Sequence, residues 1–495
     1  MPLLRSAKVP QGVWIALILV LLGLVAMVAM VARRESPGRV LILASNLDDE
    51  GRNAGPGMET LLSDCMEVLT GVTVTHASSL PSPGDLQRLP SDTRLLRFSG
   101  KRMGHQLAMT LEWSTVDRLR SGKPWIQDLL PAQEPAQAMR HIVQHWPLRL
   151  QFRQLDALVP SAASNFWILL ESLAIRDDQS AAAHLEITQR LVEAEPRCAT
   201  GWTVLGDHLY RSLWVDPRQA GVGLNSRTHH AFQRAVELVP GHPRATFLWS
   251  MMLTDTGNQR MALQALRGSI RLRPDQPDLY LGIAYASRTS GLLEGARRAL
   301  SRRGTLLGPL ASPSAWFAET TYLYLGDLDA FGQELARAGS LRQDASLLFY
   351  KGYFALLQGQ DKQALGFMRA GSAPDMGPTH FRDLCRVYRA YLEGRPKDGL
   401  VELREMDEIR GKLHIPDGEW TFKEAEAYAI LGDADRGVDC ATRAFVQGFS
   451  CAAWYERSPF LAKVRAHPRW PTLRRNIRER QAVLEGSFPP SAFEP

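Results

Sequence analysis

The feature that most constrains this 495-residue chain is the recurrence of proline at a fixed distance in the part from about Ser164 onward, where the pattern is nearly all helical. Pro240 and Pro274 are 274 − 240 = 34 residues apart, and the residues between them carry apolar side chains at helical spacing. A period of this length is typical of helix pairs that stack side by side. The chain is therefore predicted to be mainly α over most of its length.

Small residues recur within the period where the two helices of a pair cross. Ala262 takes this position between Pro240 and Pro274, and the next unit repeats the pattern. A bulky side chain at a crossing would force the helices apart, so we interpret these residues as structural. The repeat-signature residues are Trp202, Leu205, Gly206, Ala235, Pro240, Ala262, Pro274, Ala284, Ala296, Gly352 and Ala364.

The units vary in length. Trp202 to Pro240 spans 240 − 202 = 38 residues, about ten more than the repeat allows, which predicts an insertion within residues 215–227. Residues 346–370 form the clearest helix pair, and those around 382–415 form a degenerate one. Turns of the type Leu-Gly-Asp or Gln-Gly-Gln are predicted at 325–327, 358–360 and 431–433.

Residues 160–453 resemble a tetratricopeptide repeat array. Residues 454–485, which contain WYERSPFLAKVRAHPRWPTLRRNIRERQ, resemble the ending common in tetratricopeptide regulators and are expected to cap the array, with residues 486–495 as a tail. The resemblance implies an α-solenoid whose concave face binds an extended peptide or a helix of a partner protein.

An apolar run near the amino terminus predicts a transmembrane helix. Val13 to Ala32 contains 32 − 13 + 1 = 20 residues without a charge, enough to span a hydrocarbon core of about 30 Å. A cleaved signal peptide is the alternative. The length of the run, and the arginines that follow it at 33 and 34, favour an uncleaved anchor after a short tail, residues 1–12.

The orientation of this anchor is not decided by flanking charge, because basic residues lie on both sides: Arg5, Lys8, Arg33, Arg34 and Arg39. A short tail before a single span commonly stays in the cytoplasm. We therefore expect a single-pass inner-membrane protein whose soluble part is periplasmic or extracytoplasmic.

Residues 36–146 predict a small α/β domain. Strands are expected at 39–44, 72–75, 94–98 and 106–113, a helix at 57–69, and a loop at 46–56. These segments resemble the TolB-like domain that precedes tetratricopeptide repeats in CadC-type membrane regulators, through VLILA, GMETLLSDCMEVLTGVTV and RFSGKRMGHQLAMTLEW. LASN stands where that family has PF-x-N, and only twelve residues precede the span, so no winged-helix DNA-binding domain is expected there.

Few patterns in the chain point to chemistry. His141 and His145 are four residues apart without the glutamate of a zinc-protease helix, and no phosphate-binding loop or serine elbow occurs. The five cysteines form no C-x-x-C pair and are expected to be buried thiols, although Cys440 and Cys451 could pair in an oxidising compartment. We expect no catalytic, cofactor-binding or metal-binding residues and no small-molecule substrate.

The charge pattern does not favour nucleic acid. The formal net charge is +6, and no run of five or six basic residues occurs. Arg297, Arg298, Arg302 and Arg303 form a basic stripe that is expected to be solvated, with an acidic partner or lipid as the alternative. Aromatic residues at first-helix positions are interpreted as core: Trp202, Trp249, Trp316, Tyr322, Tyr350, Phe354 and Trp420.

These patterns lead to two hypotheses. In the first, the chain is a membrane-anchored, non-catalytic scaffold that binds partner proteins through the groove of the repeat array. In the second, it is a sensory or envelope-assembly factor whose TolB-like domain recognises the target, while the repeats transmit or recruit.

Overall fold

The structure is a computed structural model, and it describes residues 38–50, 52–70, 72–144, 155–175, 177–215, 223–308, 318–340, 343–377, 379–412 and 415–494. The predicted anchor at residues 13–32 lies outside the described residues, as do His145 and Trp316. Within the described ranges, no helix combines the length and the apolar character needed to cross a membrane. Helices account for 68% of the structure, which confirms the mainly α prediction.

The N-terminal domain contains a mixed β-sheet. Its strands are β1 (Arg39–Leu43), β2 (Asn46–Asp49), β3 (Arg52–Asn53), β4 (Thr73–Ala77), β5 (Arg94–Met103), β6 (Gln106–Thr115) and β7 (Ile126–Gln133). β5 is central and pairs in parallel with β1 and β2 and antiparallel with β6. β4 extends the sheet in parallel beyond β1, while β7 pairs antiparallel with β6 at the other end.

Four helices belong to this domain: α1 (Gly55–Thr70), α2 (Pro83–Arg88), α3 (Val116–Arg120) and α4 (Pro135–Gln144). α1 places Met58, Leu61, Leu62 and Cys65 in one core with the sheet, each 0% exposed, because they recur at the spacing of one helical face. The predicted helix and the four predicted strands are confirmed, and β5 is longer than expected.

Two parts of the sheet were not predicted. The segment predicted as a loop at 46–56 forms β2 and β3. Leu47 is fully buried there, and its backbone N–H donates a hydrogen bond to the Asn53 side chain at 3.3 Å. β7 escaped prediction because IQDLLPAQ contains Pro131 and shows no clear alternation.

The helical array follows the α/β domain. Its helices are α5 (Ala163–Ala174), α6 (Asp178–Ala183), α7 (Leu185–Ala194), α8 (Ala199–Ser212), α9 (Leu224–Leu238), α10 (Pro243–Asp255), α11 (Gln259–Leu272), α12 (Pro277–Thr289), α13 (Leu293–Leu307), α14 (Ala318–Leu325), α15 (Leu328–Gly339), α16 (Ala345–Leu357), α17 (Asp361–Gly371), α18 (His380–Leu392), α19 (Pro396–Arg410), α20 (Gly418–Leu431) and α21 (Ala434–Val446). From α8 onward these form seven pairs, α8–α9 through α20–α21, whose members pack against each other.

The turns inside the pairs follow the predicted chemistry. Gly326, Gly359 and Gly432 have φ values of 82°, 71° and 100°, which glycine adopts without steric cost. Asp327 and Asp433 then cap the helices that follow. Each side chain accepts a hydrogen bond from the backbone N–H three residues later, at 3.0 and 3.1 Å. The Leu-Gly-Asp signal thus ends one helix and starts the next.

The small residues of the repeat signature lie at close helix contacts. A Cβ atom on Gly206 would stand 2.6 Å from the Phe232 ring, and one on Gly352 would stand 2.7 Å from Met368. The alanines of the set are fully buried at 0% exposure: Ala235, Ala262, Ala284, Ala296 and Ala364. Leu205 is also buried, Trp202 and Pro274 are half-buried, and Pro240 is exposed.

The chain ends in α22 (Ala452–Arg457), α23 (Ala462–Arg465) and α24 (Trp470–Ser487). These do not simply extend the array, because the C-terminal segments return to its first half. The backbone N–H of Ser450 donates to the Thr289 carbonyl at 2.8 Å, and Leu484, Phe488 and Phe493 lie in one core with residues of α11 and α12. The array therefore closes on itself.

Candidate functional site

The closure of the array puts α20 in its interior. Asp417 precedes this helix and donates its backbone N–H to the Asp255 carbonyl at the end of α10, at 3.1 Å. Four charged side chains on α20 are buried: Glu419, Lys423, Glu424 and Glu426 are 5%, 0%, 1% and 0% exposed. Each of these four buried charges requires a partner.

The partners of Glu419 come from two distant helices. Arg288 of α12 donates to Glu419 at 2.5 Å, and the Tyr324 hydroxyl of α14 donates to the other carboxylate oxygen at 2.6 Å. The Arg288 and Glu419 side chains are 2% and 6% exposed. This carboxylate thus joins α20 to two helices near the middle of the array.

Glu426 has the most partners. Lys423 donates to it at 3.0 Å, Tyr353 of α16 at 2.9 Å and the Trp454 indole of α22 at 3.2 Å. Arg410 of α19 donates to Glu424 at 2.8 Å. Together with the contacts of Asp255, Arg288 and Tyr324, these contacts place α20 and the residue before it against the first helices of four pairs: α10, α12, α14 and α16. A concave partner groove was expected on that face. The chain itself occupies much of it.

A cavity of about 150 Å³ remains beside α20. Asp255 and Asp417 line it, and the Tyr210 and Tyr285 hydroxyls donate to the two Asp255 carboxylate oxygens. Burial and the charge of Asp417 raise the pKa of Asp255 well above its ordinary value. Burial and Glu419 raise the pKa of Asp417 to about 6. The two acids therefore resist simultaneous ionisation. The cavity that they line has room for several water molecules.

A second site lies outside, at the seam where the C-terminal part of the chain meets α11. We call it the seam groove; it has a volume of about 510 Å³ and is lined by Gly257, Asn258, Gln259, Arg260, Met261, Gln264, Val446, Arg480, Val483 and Leu484. Met261, Val446 and Val483 are 44%, 69% and 60% exposed. These residues come from α11, α21 and α24, so the groove exists only in the folded chain.

The predicted aromatic core positions are partly confirmed. Tyr350 is 4% exposed, while Trp202, Trp249, Tyr322, Phe354 and Trp420 are half-buried and pack at the edges of the core clusters. Trp420 and Trp214 lie with ring centroids 4.9 Å apart beside the cavity. Their location next to the buried acids could not be read from helical spacing.

The cysteines and His141, which the sequence offered as candidates for a disulfide or a metal site, form neither in the described residues. All five cysteines are buried and free, so Cys440 and Cys451 form no disulfide here, and burial raises the pKa of Cys198 to about 12. His141 lies on α4. Within the described ranges, no three His, Cys, Asp or Glu side chains are grouped so that they could hold a metal ion.

The basic stripe on α13 is largely neutralised within the chain. Arg297 and Arg298 both donate to Glu294, at 2.8 and 2.9 Å, and Arg298 also pairs with Glu494 at 2.8 Å. Arg297 and Arg298 remain 51% and 49% exposed, and Arg302 is exposed, as expected for a solvated face, whereas Arg303 is half-buried.

Sequence reasoning missed the buried charges of α20. In GEWTFKEAEAYAIL, Glu419, Lys423 and Glu426 recur at i, i+4 and i+7, which is the spacing of an ordinary exposed face, and only Glu424 lies off that face. The sequence therefore gives no clear signal that these charges are buried. Comparison of the chain with protein-family models and with curated proteins gives no match.

Proposed function

We propose that this chain is a membrane-anchored scaffold that binds protein partners through a tetratricopeptide-type array and carries out no reaction itself. Residues 13–32 form the anchor. The α/β domain is of TolB-like type, and both this domain and the array lie outside the cytoplasm. Support comes from the 34-residue spacing of Pro240 and Pro274, the seven helix pairs and the close-packed crossings at Gly206 and Gly352.

One observation carries the location of partner binding. α20 and its ion pairs occupy the face on which a groove was expected, whereas large apolar side chains are exposed on the outside of the array. Leu272 and Val401 are 58% and 53% exposed. We therefore assign partner binding to the outer surface, since a peptide in the interior would have to displace buried charges.

Site-specific photo-crosslinking in the native membrane tests this function on the full chain. A crosslinking residue replaces Leu272, Val401 or, on the α/β domain, Leu129, which is 80% exposed. The scaffold function predicts a reproducible crosslinked protein from an array position and none from position 129. Absence of any crosslink from the array contradicts it.

A second function is favoured by the junction between the two parts of the chain. The Asp64 carboxylate, in a residue 2% exposed, pairs with Arg244 of α10 at 3.2 Å. Arg273 and Gln276 donate to the Val68 and Val72 carbonyls at 2.9 and 3.2 Å. A target bound to the α/β domain could act on the array through this rigid contact, as in a sensory or assembly factor. Crosslinks from position 129 alone would favour this function.

The proposed orientation is tested separately. A reporter that is active only outside the cytoplasm is fused after Pro495, and a second that is active only inside is fused at the same place. Activity of the first supports an extracytoplasmic array. Activity of the second reverses the orientation and leaves the binding function in place.

A further inference from the structure

The seam groove combines exposed aliphatic side chains with a basic rim. Met261 lies on α11, Val446 at the end of α21 and Val483 on α24, and all three are large apolar side chains that contact solvent. Arg260 and Arg480 are the charged residues among its described lining, and both are basic. The volume of about 510 Å³ is in the range of about 300–1,000 Å³ found for ligand pockets.

Two glycines beside the groove are closely packed. Gly257 has φ 84°, and a Cβ there would stand 3.0 Å from the Gln447 carbonyl oxygen. Gly448 has φ 107°, and a Cβ there would stand 2.2 Å from the Gln259 amide nitrogen. The turn that follows α10 therefore packs directly against the backbone at the end of α21.

One wall of the groove is also ordered. The Arg480 guanidinium lies 3.7 Å from the centre of the Phe445 ring and donates to the Phe445 carbonyl. These contacts hold a positive charge beside Val483 without neutralising it. Arg260, by contrast, is exposed at the start of α11, so the two arginines flank the apolar floor.

We propose that the seam groove binds an acidic amphipathic helix of a partner protein, whose aliphatic side chains pack on Met261, Val446 and Val483 and whose carboxylates face Arg260 and Arg480. This inference rests on the proposed scaffold function and names the surface and the chemistry of the partner. Helices with apolar residues three and four apart bind such grooves through one face.

Charge excludes two other occupants. The chain's own apolar segment at residues 13–32 is flanked by basic residues, including Arg33 and Arg34, and would bring positive charge to a positive rim. A second copy docked groove to groove would bring a basic rim against a basic rim, because a two-fold contact repeats the same patch on both sides. A carboxylate-bearing segment meets the opposite charge.

The test uses the full chain in detergent micelles and a fluorescent helical peptide with leucines on one face flanked by glutamates. Its matched probe replaces the glutamates with lysines. We expect saturable anisotropy with the glutamate peptide at low salt and at least tenfold weaker binding of the lysine peptide. Arg260→Glu should weaken binding of the glutamate peptide at least tenfold and strengthen binding of the lysine peptide.

Arg271→Glu provides the control, because Arg271 is exposed on the same helix outside the groove lining. It should leave the affinities for both peptides unchanged, while Val483→Ser should weaken the binding of both peptides. Equal losses in the Arg260 and Arg271 variants, or equal binding of both peptides by the unmodified chain, overturn the inference.

Crosslinking at Val446 separates this inference from the scaffold function. A crosslink from Val446 that maps to an acidic helical segment of the partner supports both, and one that maps to a segment without carboxylates overturns the seam-groove inference. A partner crosslinked from Leu272 or Val401 but never from Val446 overturns the seam groove and leaves the scaffold function standing. No crosslink from any array position overturns the scaffold function itself.

Discussion

Arg288 of α12 and Glu419 of α20 form a buried ion pair at 2.5 Å, although 131 residues separate them in sequence. The pair ties the first half of the array to its C-terminal part, across the face expected to be a partner groove. Because the desolvation of both charges is costly, the contact is stabilising only while both partners are present.

Removal of one partner should therefore destabilise the whole array. Glu419→Gln leaves the Arg288 guanidinium buried with a neutral amide, and we expect a loss of about 3–5 kcal/mol in the free energy of unfolding. Urea denaturation measures it. Glu294→Gln is the control, because its arginine partners are exposed and such surface pairs contribute little. Similar losses in both variants would contradict a central role for Arg288 and Glu419.

The buried acids at the cavity predict a pH-dependent stability. The pKa of Asp417 in the folded chain is raised to about 6, above its unfolded value, so the folded state binds the proton more tightly. The stability contribution is then present below about pH 4 and is lost as the pH rises through 6. Burial is the largest cause of this raised pKa; the charge of Glu419 adds to it and the charge of Arg410 opposes it. Asp255 is the other buried acid that lines the same cavity.

Asp417→Asn should remove this dependence. Asparagine retains an oxygen to accept the Glu419 and Trp420 backbone N–H groups and tolerates the φ of 35° at this position. At pH 8 we expect the variant to be more stable than the unmodified chain by on the order of 2 kcal/mol, with the difference vanishing near pH 4. Asp433→Asn, at another helix cap, is the control. A stability difference independent of pH would argue against the assignment.

The helix crossing at Gly206 should tolerate no added methyl group. Gly206→Ala brings a Cβ to 2.6 Å from the Phe232 ring, and overpacking of this kind costs about 1–3 kcal/mol. Gly366→Ala, on an exposed helical position with nothing within 4 Å, should instead stabilise by about 0.5–1 kcal/mol. Thermal unfolding distinguishes them, and a shift of the same sign in both variants would contradict the crossing geometry.

The junction between the α/β domain and the array should depend on Arg244. Arg244→Ala leaves the Asp64 carboxylate without this cation in a site 2% exposed, and we expect faster amide hydrogen exchange in α1. Arg234→Ala, which removes an exposed pair with Glu237, should leave α1 unchanged. Unchanged exchange in the Arg244 variant would contradict this prediction and show that the other contacts of the junction, among them those at Val68 and Val72, suffice to hold it.

Local patterns predicted much of the fold. The helical face of Met58, Leu61 and Cys65 identified α1, and the alternation of Leu107, Met109 and Leu111 identified β6, because in both cases one face meets the core. The turns at Gly326 and Gly432 were predicted for a similar reason: a positive φ and a capping aspartate are properties of adjacent residues.

The binding surfaces were beyond such reasoning. Val446 and Val483 are 37 positions apart by number (483 − 446 = 37), and neither stands out from the apolar residues around it. They form one groove with Met261 only because the C-terminal helices return to α11. β2 and β3 were missed for a related reason, since their pairing depends on β5 and on Asn53 rather than on a periodic pattern.

The sequence by itself determined that most of this chain forms paired helices behind a small α/β domain, because helix periodicity, small crossing residues and glycine turns act over a few residues. Only the tertiary structure decided where the charges of α20 lie. Glu419 and Glu426 are tolerated in the interior because Arg288, Tyr324 and Tyr353 reach them from helices far away in sequence. Burial of a charge depends on its partners, and no local pattern records them.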